Sequence, residues 1–182
     1  MTNQIMSHFI EDCRTALSEQ NAKAAINEIV ARLVSKPSQV VEAIGEPSLA
    51  GIQTLYHAKD LTILSIAWAP GMTLYPHNHN MWAVIGIYGG REDNTFYRSG
   101  PEGLTKHGLK SLETGETIAL GEDIIHSVYN PLGKMTLGLH VYGGDFFEEP
   151  RSEWDPETRQ ERPFDIENAR RTFDLANRQL AG

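Results

Sequence analysis

Two stretches decide how this chain is read: residues 70–90, PGMTLYPHNHNMWAVIGIYGG, and residues 115–130, GETIALGEDIIHSVYN. Both are β-prone runs broken by Gly, Pro and Asn. The first carries Pro76-His77-Asn78-His79. In a strand, side chains two positions apart share a face, about 6.5–7 Å apart along the chain. Two imidazoles so placed can reach one metal ion, and zinc and iron are commonly held this way. A bare His-x-His also occurs in polar turns, so the pair alone decides little.

Working outward, the same β texture runs from residue 51 to 147. Strands are predicted at 61–69, 81–90, 94–99, 109–115, 116–121, 124–130 and 135–144. Turn signals recur every 8–12 residues, about the spacing of a sandwich or barrel. Before this region, residues 4–34 repeat apolar side chains at three- and four-residue steps, with a break near Gln20–Asn21. A short helix through Ile44 follows, with Ser38 as its cap. Residues 148–165 are densely charged and read as a surface arm. Asp165 can cap a final amphipathic helix that partly buries Ile166, Ala169, Phe173, Leu175 and Ala176. The expected organisation is a helical segment (1–50), a β barrel (51–147), and an arm with a C-terminal helix (148–182).

Composition narrows the function classes. The chain has 182 residues, 40% of them hydrophobic and 22% charged, with a net charge of −8. An acidic chain without a basic block is a poor nucleic-acid or anionic-membrane binder. The single cysteine, Cys13, allows no internal disulfide and reads as a small core residue. No apolar run approaches the ~20 residues of a membrane span. A cytoplasmic protein, monomeric or homodimeric, is expected. Of the seven histidines, His8 and His107 read as surface residues.

His126 and His140 flank Gly133 symmetrically, inside the turn signal Asn130-Pro131-Leu132-Gly133-Lys134. An antiparallel hairpin about that turn would set the two histidines opposite each other on one face. Tyr142 would share that face. Arg91 and Arg98 are candidate clamps for a substrate carboxylate. Tyr75 and Trp82 flank the histidine pair and are candidate pocket walls.

The span 70–130 resembles a cupin. The first cupin motif is matched by Gly71, His77, His79 and Gly90, and the second by Gly115, Gly121, Asp123, His126 and Asn130. The resemblance implies a double-stranded β-helix (a jelly-roll barrel, mainly β) with a metal inside on His77, His79 and His126. At the usual glutamate ligand position stands Ala83, which binds no metal. A three-histidine cupin lacking that glutamate resembles the cysteine dioxygenase-like thiol dioxygenases. Gly138-Leu139-His140-Val141-Tyr142 is similar to that family's Ser-x-His-x-Tyr strand, with glycine for serine. Trp68, nine residues before the first ligand, sits in a similar strand.

The resemblance implies an Fe(II) enzyme that adds both atoms of O2 to a small thiol, giving a sulfinate. Fe(II) is the expected metal, and Zn or Ni could occupy the same donors in a purified sample. Three neutral imidazoles would leave the ion's charge unbalanced and favour an anionic substrate. Tyr142 would donate a hydrogen bond to substrate or oxygen, and His140 would orient Tyr142. Ala83 rules out a cysteine–tyrosine crosslink. The family's arginine near the start of the barrel has no counterpart in Tyr56-His57-Ala58-Lys59, so His57 or Lys59 would stand in. The competing readings are a zinc or nickel hydrolase or isomerase, and a non-catalytic small-molecule-binding cupin.

Overall fold

A computed structural model of the chain describes residues 4–101 and 103–180. Three helices come first: α1 (Gln4–Ala16), α2 (Ala22–Val34) and α3 (Pro37–Ile44). The expected break between the first two falls where Asn21 Oδ1 accepts a hydrogen bond from the Ala24 N–H at 3.3 Å, capping α2. Pro37 opens α3 at a first-turn position, where its missing N–H costs nothing. Ser38 does not cap it: the N-cap position falls to Lys36, and no side chain bonds there.

The β region begins with β1 (Gly51–His57), β2 (Thr62–Trp68), β3 (Thr73–Asn78), β4 (Ala83–Gly89) and β5 (Arg91–Gly100). It continues with β6 (Gly103–Glu113), β7 (Thr117–Leu120), β8 (Ile125–Tyr129) and β9 (Thr136–Tyr142). Two short strands, β10 (Ser152–Trp154) and β11 (Glu161–Pro163), precede helix α4 (Ile166–Leu180). One sheet has the order β1-β2-β9-β4-β7 and the other β11-β10-β3-β8-β5-β6. The chain crosses repeatedly between the two sheets, and the described strand pairs are antiparallel. This is the expected double-stranded β-helix, mainly β, with helices before and after it.

Alternation along the strands divides the apolar residues into two layers. Ile63, Val84, Leu139 and Val141 point outward and pack with Ile26, Val30 and Val34 of α2 and with Phe9 and Cys13 of α1. The helices lie close to the sheet. A Cβ on Gly86 would overlap Val30 Cγ1 and come within 3.0 Å of Val34 Cγ1. Leu64, Ile66, Trp68, Ile85 and Tyr142 point inward and form the barrel core with Phe146 and Phe173. Helix α4 lies against this core: Phe173 stacks on Trp68 at 5.3 Å, and Asn177 bonds both the N–H and the C=O of Ala50. Glu167 N–H donates to Asp165 Oδ1 at 2.9 Å, as expected for a cap. Leu175 is 57% exposed rather than partly buried.

Two larger expectations are also corrected. The segments flanking Gly133 do not form a hairpin. β8 pairs with β3 and β5, while β9 pairs with β2 and β4 in the other sheet. The cause is Asn130, fully buried, whose amide donates to the carbonyls of Trp68, Ala69 and Lys134 while its Oδ1 accepts from Leu132 N–H and the Thr136 hydroxyl. These bonds anchor the chain where it crosses between sheets. The charged segment 148–165 is not simply a surface arm. It supplies β10 and β11 to the edge of the six-stranded sheet, with Arg151, Glu153 and Trp154 buried. The buried Glu153 is satisfied locally: it accepts from Arg162 Nε at 2.7 Å, Asn168 Nδ2 at 2.7 Å and Asp165 N–H at 3.2 Å.

Candidate metal centre

His77 lies near the end of β3 and His79 just beyond it; His126 on β8 is the direct cross-strand partner of His77. Alternation sends the two histidines of His77-Asn78-His79-Asn80 inward. The two asparagines hold the β10 segment: Asn78 Oδ1 accepts from Ser152 N–H, and Asn80 Nδ2 donates to Pro150 O, both at 2.8 Å. The three imidazoles are buried, and each offers one nitrogen within 4.8 Å of the others, a spacing that can hold one metal ion. Ring centroids are 4.7–5.0 Å apart.

The hydrogen bonds behind the rings prepare their lone pairs. His77 Nδ1 donates to Tyr75 O at 3.0 Å. His126 Nδ1 lies 2.7 Å from Asn94 Oδ1, which must be the acceptor because Asn94 Nδ2 donates to Glu92 Oε1 at 2.9 Å. Nδ1 of both rings therefore carries the hydrogen, and Nε2 is left as a metal-binding lone pair. His126 Nε2 and His79 Nε2 approach to 3.4 Å. His79 Nδ1 is buried with no hydrogen-bond partner among the described residues. Burial lowers His77 to about 4, despite its bond to Tyr75 O, and holds His79 and His126 well below the usual imidazole range. Three neutral imidazoles with converging lone pairs fit a divalent cation. Among the described residues, no carboxylate joins the cluster.

His77 and His126 of the cluster line a cavity of about 20 Å³, room for about one water. His140 and Tyr142 line it from the opposite sheet, with Trp68, Phe146, Phe164 and Phe173. His140 Nδ1 and Tyr142 Oη are 3.2 Å apart, and the Tyr142 ring meets His79 edge-on at 5.0 Å. His126 and His140 thus share a cavity, but from different sheets.

The substrate candidates chosen from sequence are not brought to this cavity. Arg91 pairs with Asp93 at 2.8 Å and Arg98 is exposed. His57 bonds Asp145 Oδ1 at 2.7 Å beside Phe147, and Lys59 is exposed. Trp82 packs into the outer layer, where a Cβ on Gly143 would overlap its ring. Tyr75 is buried and lines a separate cleft with Pro76 and Tyr97. The sequence reading missed Arg151. It is 7% exposed, its Nε is buried without a partner, and one terminal nitrogen donates to Phe146 O. Its Cζ lies 4.1 Å from the Phe146 ring centroid and 4.0 Å from that of Phe164. Both rings also wall the metal cavity, and with Arg151 they line an outer cleft of about 440 Å³.

No family model matches the chain. Its fold is similar to those of solved cupin structures. One is an RmlC-like cupin family protein with a double-stranded β-helix fold from Methanocaldococcus jannaschii, at 12% identity and TM-score 0.48 over 57% of this chain and 88% of that one. A cupin superfamily protein from Desulfitobacterium hafniense matches at 13% identity and TM-score 0.47, over 58% and 88%. A cupin 2 conserved barrel domain protein from Leptotrichia buccalis matches at 18% and 0.44, over 58% and 45%. At this distance the likenesses carry no functional argument. Fold and donor set together define a double-stranded β-helix barrel with a buried three-histidine pocket. No helix among the described residues is long and apolar enough to cross a membrane.

Proposed function

We propose that this protein is a mononuclear iron thiol dioxygenase, converting R–SH and O2 to R–SO2H with both oxygen atoms ending on sulfur. The observation that carries the reading is the donor set: three neutral, buried imidazoles, no carboxylate among them, set across a small aromatic-walled cavity from a Tyr142–His140 pair. Fe(II) held by His77, His79 and His126 would supply a thiolate- and oxygen-reactive Lewis-acid centre.

The chain's own groups do the rest. His77 and His126 keep their Nε2 lone pairs inward because Tyr75 O and Asn94 Oδ1 hold the hydrogens on Nδ1. Burial raises the Tyr142 phenol above its ordinary range, so its hydroxyl stays protonated; with that hydrogen directed to His140 Nδ1, the phenol oxygen is left to accept a hydrogen bond from a bound substrate rather than to donate one. The aromatic walls exclude water. Arg151 is the cation that would hold a substrate carboxylate. Burial lowers it to about 10, which leaves it charged at neutral pH, and its Nε lacks a partner. The Phe146 and Phe164 rings would have to part for a thiol to enter, because the cavity of about 20 Å³ holds little more than a water.

The test is anaerobic reconstitution with Fe(II), followed by O2 uptake against cysteine, 3-mercaptopropionate, cysteamine and a peptide with N-terminal cysteine. Uptake matched by sulfinate supports the reading. Absence of uptake with every thiol contradicts it and leaves a hydrolase, an isomerase or a non-catalytic binder. Arg151→Met should raise KM about tenfold or more for thiols that carry a carboxylate, and leave cysteamine unaffected.

A further inference from the structure

Glu92 is fully buried on β5, yet no Arg or Lys bonds it among the described residues. Its Oε2 accepts from Trp68 Nε1 at 2.8 Å and its Oε1 from Asn94 Nδ2 at 2.9 Å. Two chains of contacts leave it. One runs through Asn94 Oδ1 to His126 Nδ1 at 2.7 Å, behind a metal ligand. The other reaches His140 Nε2 at 3.5 Å, whose Nδ1 lies 3.2 Å from Tyr142 Oη. His140 Nε2 is buried and makes no hydrogen bond among the described residues, so the Glu92 carboxylate at 3.5 Å is an electrostatic contact, and Gly138 leaves room for the imidazole: a Cβ there would stand 3.0 Å away. A buried carboxylate is costly unless a positive charge offsets it.

We propose that Glu92 is a positioning residue of the metal centre, fixing His126 through Asn94, holding Tyr142 in place through His140, and supplying the negative charge that three neutral ligands do not. The proposal rests on the reading of His77, His79 and His126 as metal ligands. Asn94 cannot turn its amide over, because its Nδ2 would then face the His126 N–H and its Oδ1 would face a carboxylate. The tautomer of His126 is therefore set by Glu92. The negative charge at 3.5 Å favours the His140 tautomer with its hydrogen on Nε2, which leaves Nδ1 to accept from the Tyr142 hydroxyl at 3.2 Å. One charge outside the coordination sphere thus organises both sides of the cavity. It leaves the ion's open positions free, which a carboxylate ligand would not.

Co(II) titration of the metal-free full chain, followed by visible absorption, tests this without any turnover assay. Glu92→Gln should weaken Co(II) binding about 10–100-fold and shift the cobalt spectrum. Glu92→Asp, which keeps the charge, should recover part of the loss. The metal-free Glu92→Gln protein should melt at or above the wild-type temperature, because an uncompensated buried charge has been removed. A merely structural glutamate predicts the reverse pair: a lower metal-free melting temperature and wild-type Co(II) affinity. That result overturns the proposal. If Glu92→Gln does not fold, Asn94→Ala decides: weakened Co(II) binding supports the link, and unchanged binding refutes it. A wild-type chain that binds no Co(II) removes the metal centre and this proposal together. Equal binding by wild type and variant removes only the role of Glu92.

Discussion

The two faces of the five-stranded sheet are made from alternate residues of the same strands, yet they hold different chemistry. On β9, Leu137, Leu139 and Val141 point out to the helices, while Gly138, His140 and Tyr142 point into the barrel. The outer layer is largely apolar and sealed by α2, with Ile26, Val30 and Val34 at 0% exposure, and its buried Ser65 and Tyr88 hydroxyls bond each other at 2.9 Å. The inner layer is just as buried but carries histidines, a tyrosine and, across the barrel, Glu92 and Asn94. Burial alone therefore does not separate the two faces. What separates them is whether buried polar groups find partners within one closed network or converge on an open point. The outer face holds the barrel together, and the inner face spends that rigidity on placing nitrogen atoms.

This contrast can be broken at either face. The largest effect is expected inside: His126→Ala should abolish stable metal binding while the fold survives, checked by metal content and circular dichroism. A variant that keeps one ion per chain would mean the cluster is not the site. On the outer face, Ile26→Ala should lower stability by about 2–5 kcal/mol in denaturant unfolding and leave metal content unchanged. Gly86→Ala should cost about 1–3 kcal/mol by pushing Val30 and α2 off the sheet. Metal loss in either variant would show that the faces are coupled. The smallest change is Tyr142→Phe, which should retain the metal and reduce kcat about tenfold, corresponding to a lost hydrogen bond of ~1.5 kcal/mol. An unchanged kcat would leave Tyr142 as a packing residue.

Much of this was legible in sequence because it is local. His77-x-His79 needs only strand alternation, and the two glycine-punctuated motifs place His126 at a readable distance. The helix starts at Asn21 and Asp165 follow from capping chemistry. The pairing of β8 with β3 rather than β9 was not legible. It depends on Asn130 reaching the carbonyls of Trp68 and Ala69, more than sixty residues away in the chain. Glu92 and Asn94 were hidden for a different reason. Arg91-Glu92-Asp93-Asn94 is polar throughout, so no apolar partner marks which alternate residues turn inward. Arg151 and Glu153 sit in a run so charged that composition reads it as solvated, although they are 7% and 0% exposed. Arg91 and Arg98 looked equally suitable as clamps, but Arg91 is tied to Asp93 and Arg98 faces solvent.

The most direct measurement is oxidation of a thiol by the iron-loaded protein under 18O2, with the product analysed by mass spectrometry. The account predicts a sulfinate in which both oxygen atoms carry the label. A sulfinate whose oxygen comes from water, or a thiol left unchanged by a protein that holds one iron on His77, His79 and His126, would contradict it.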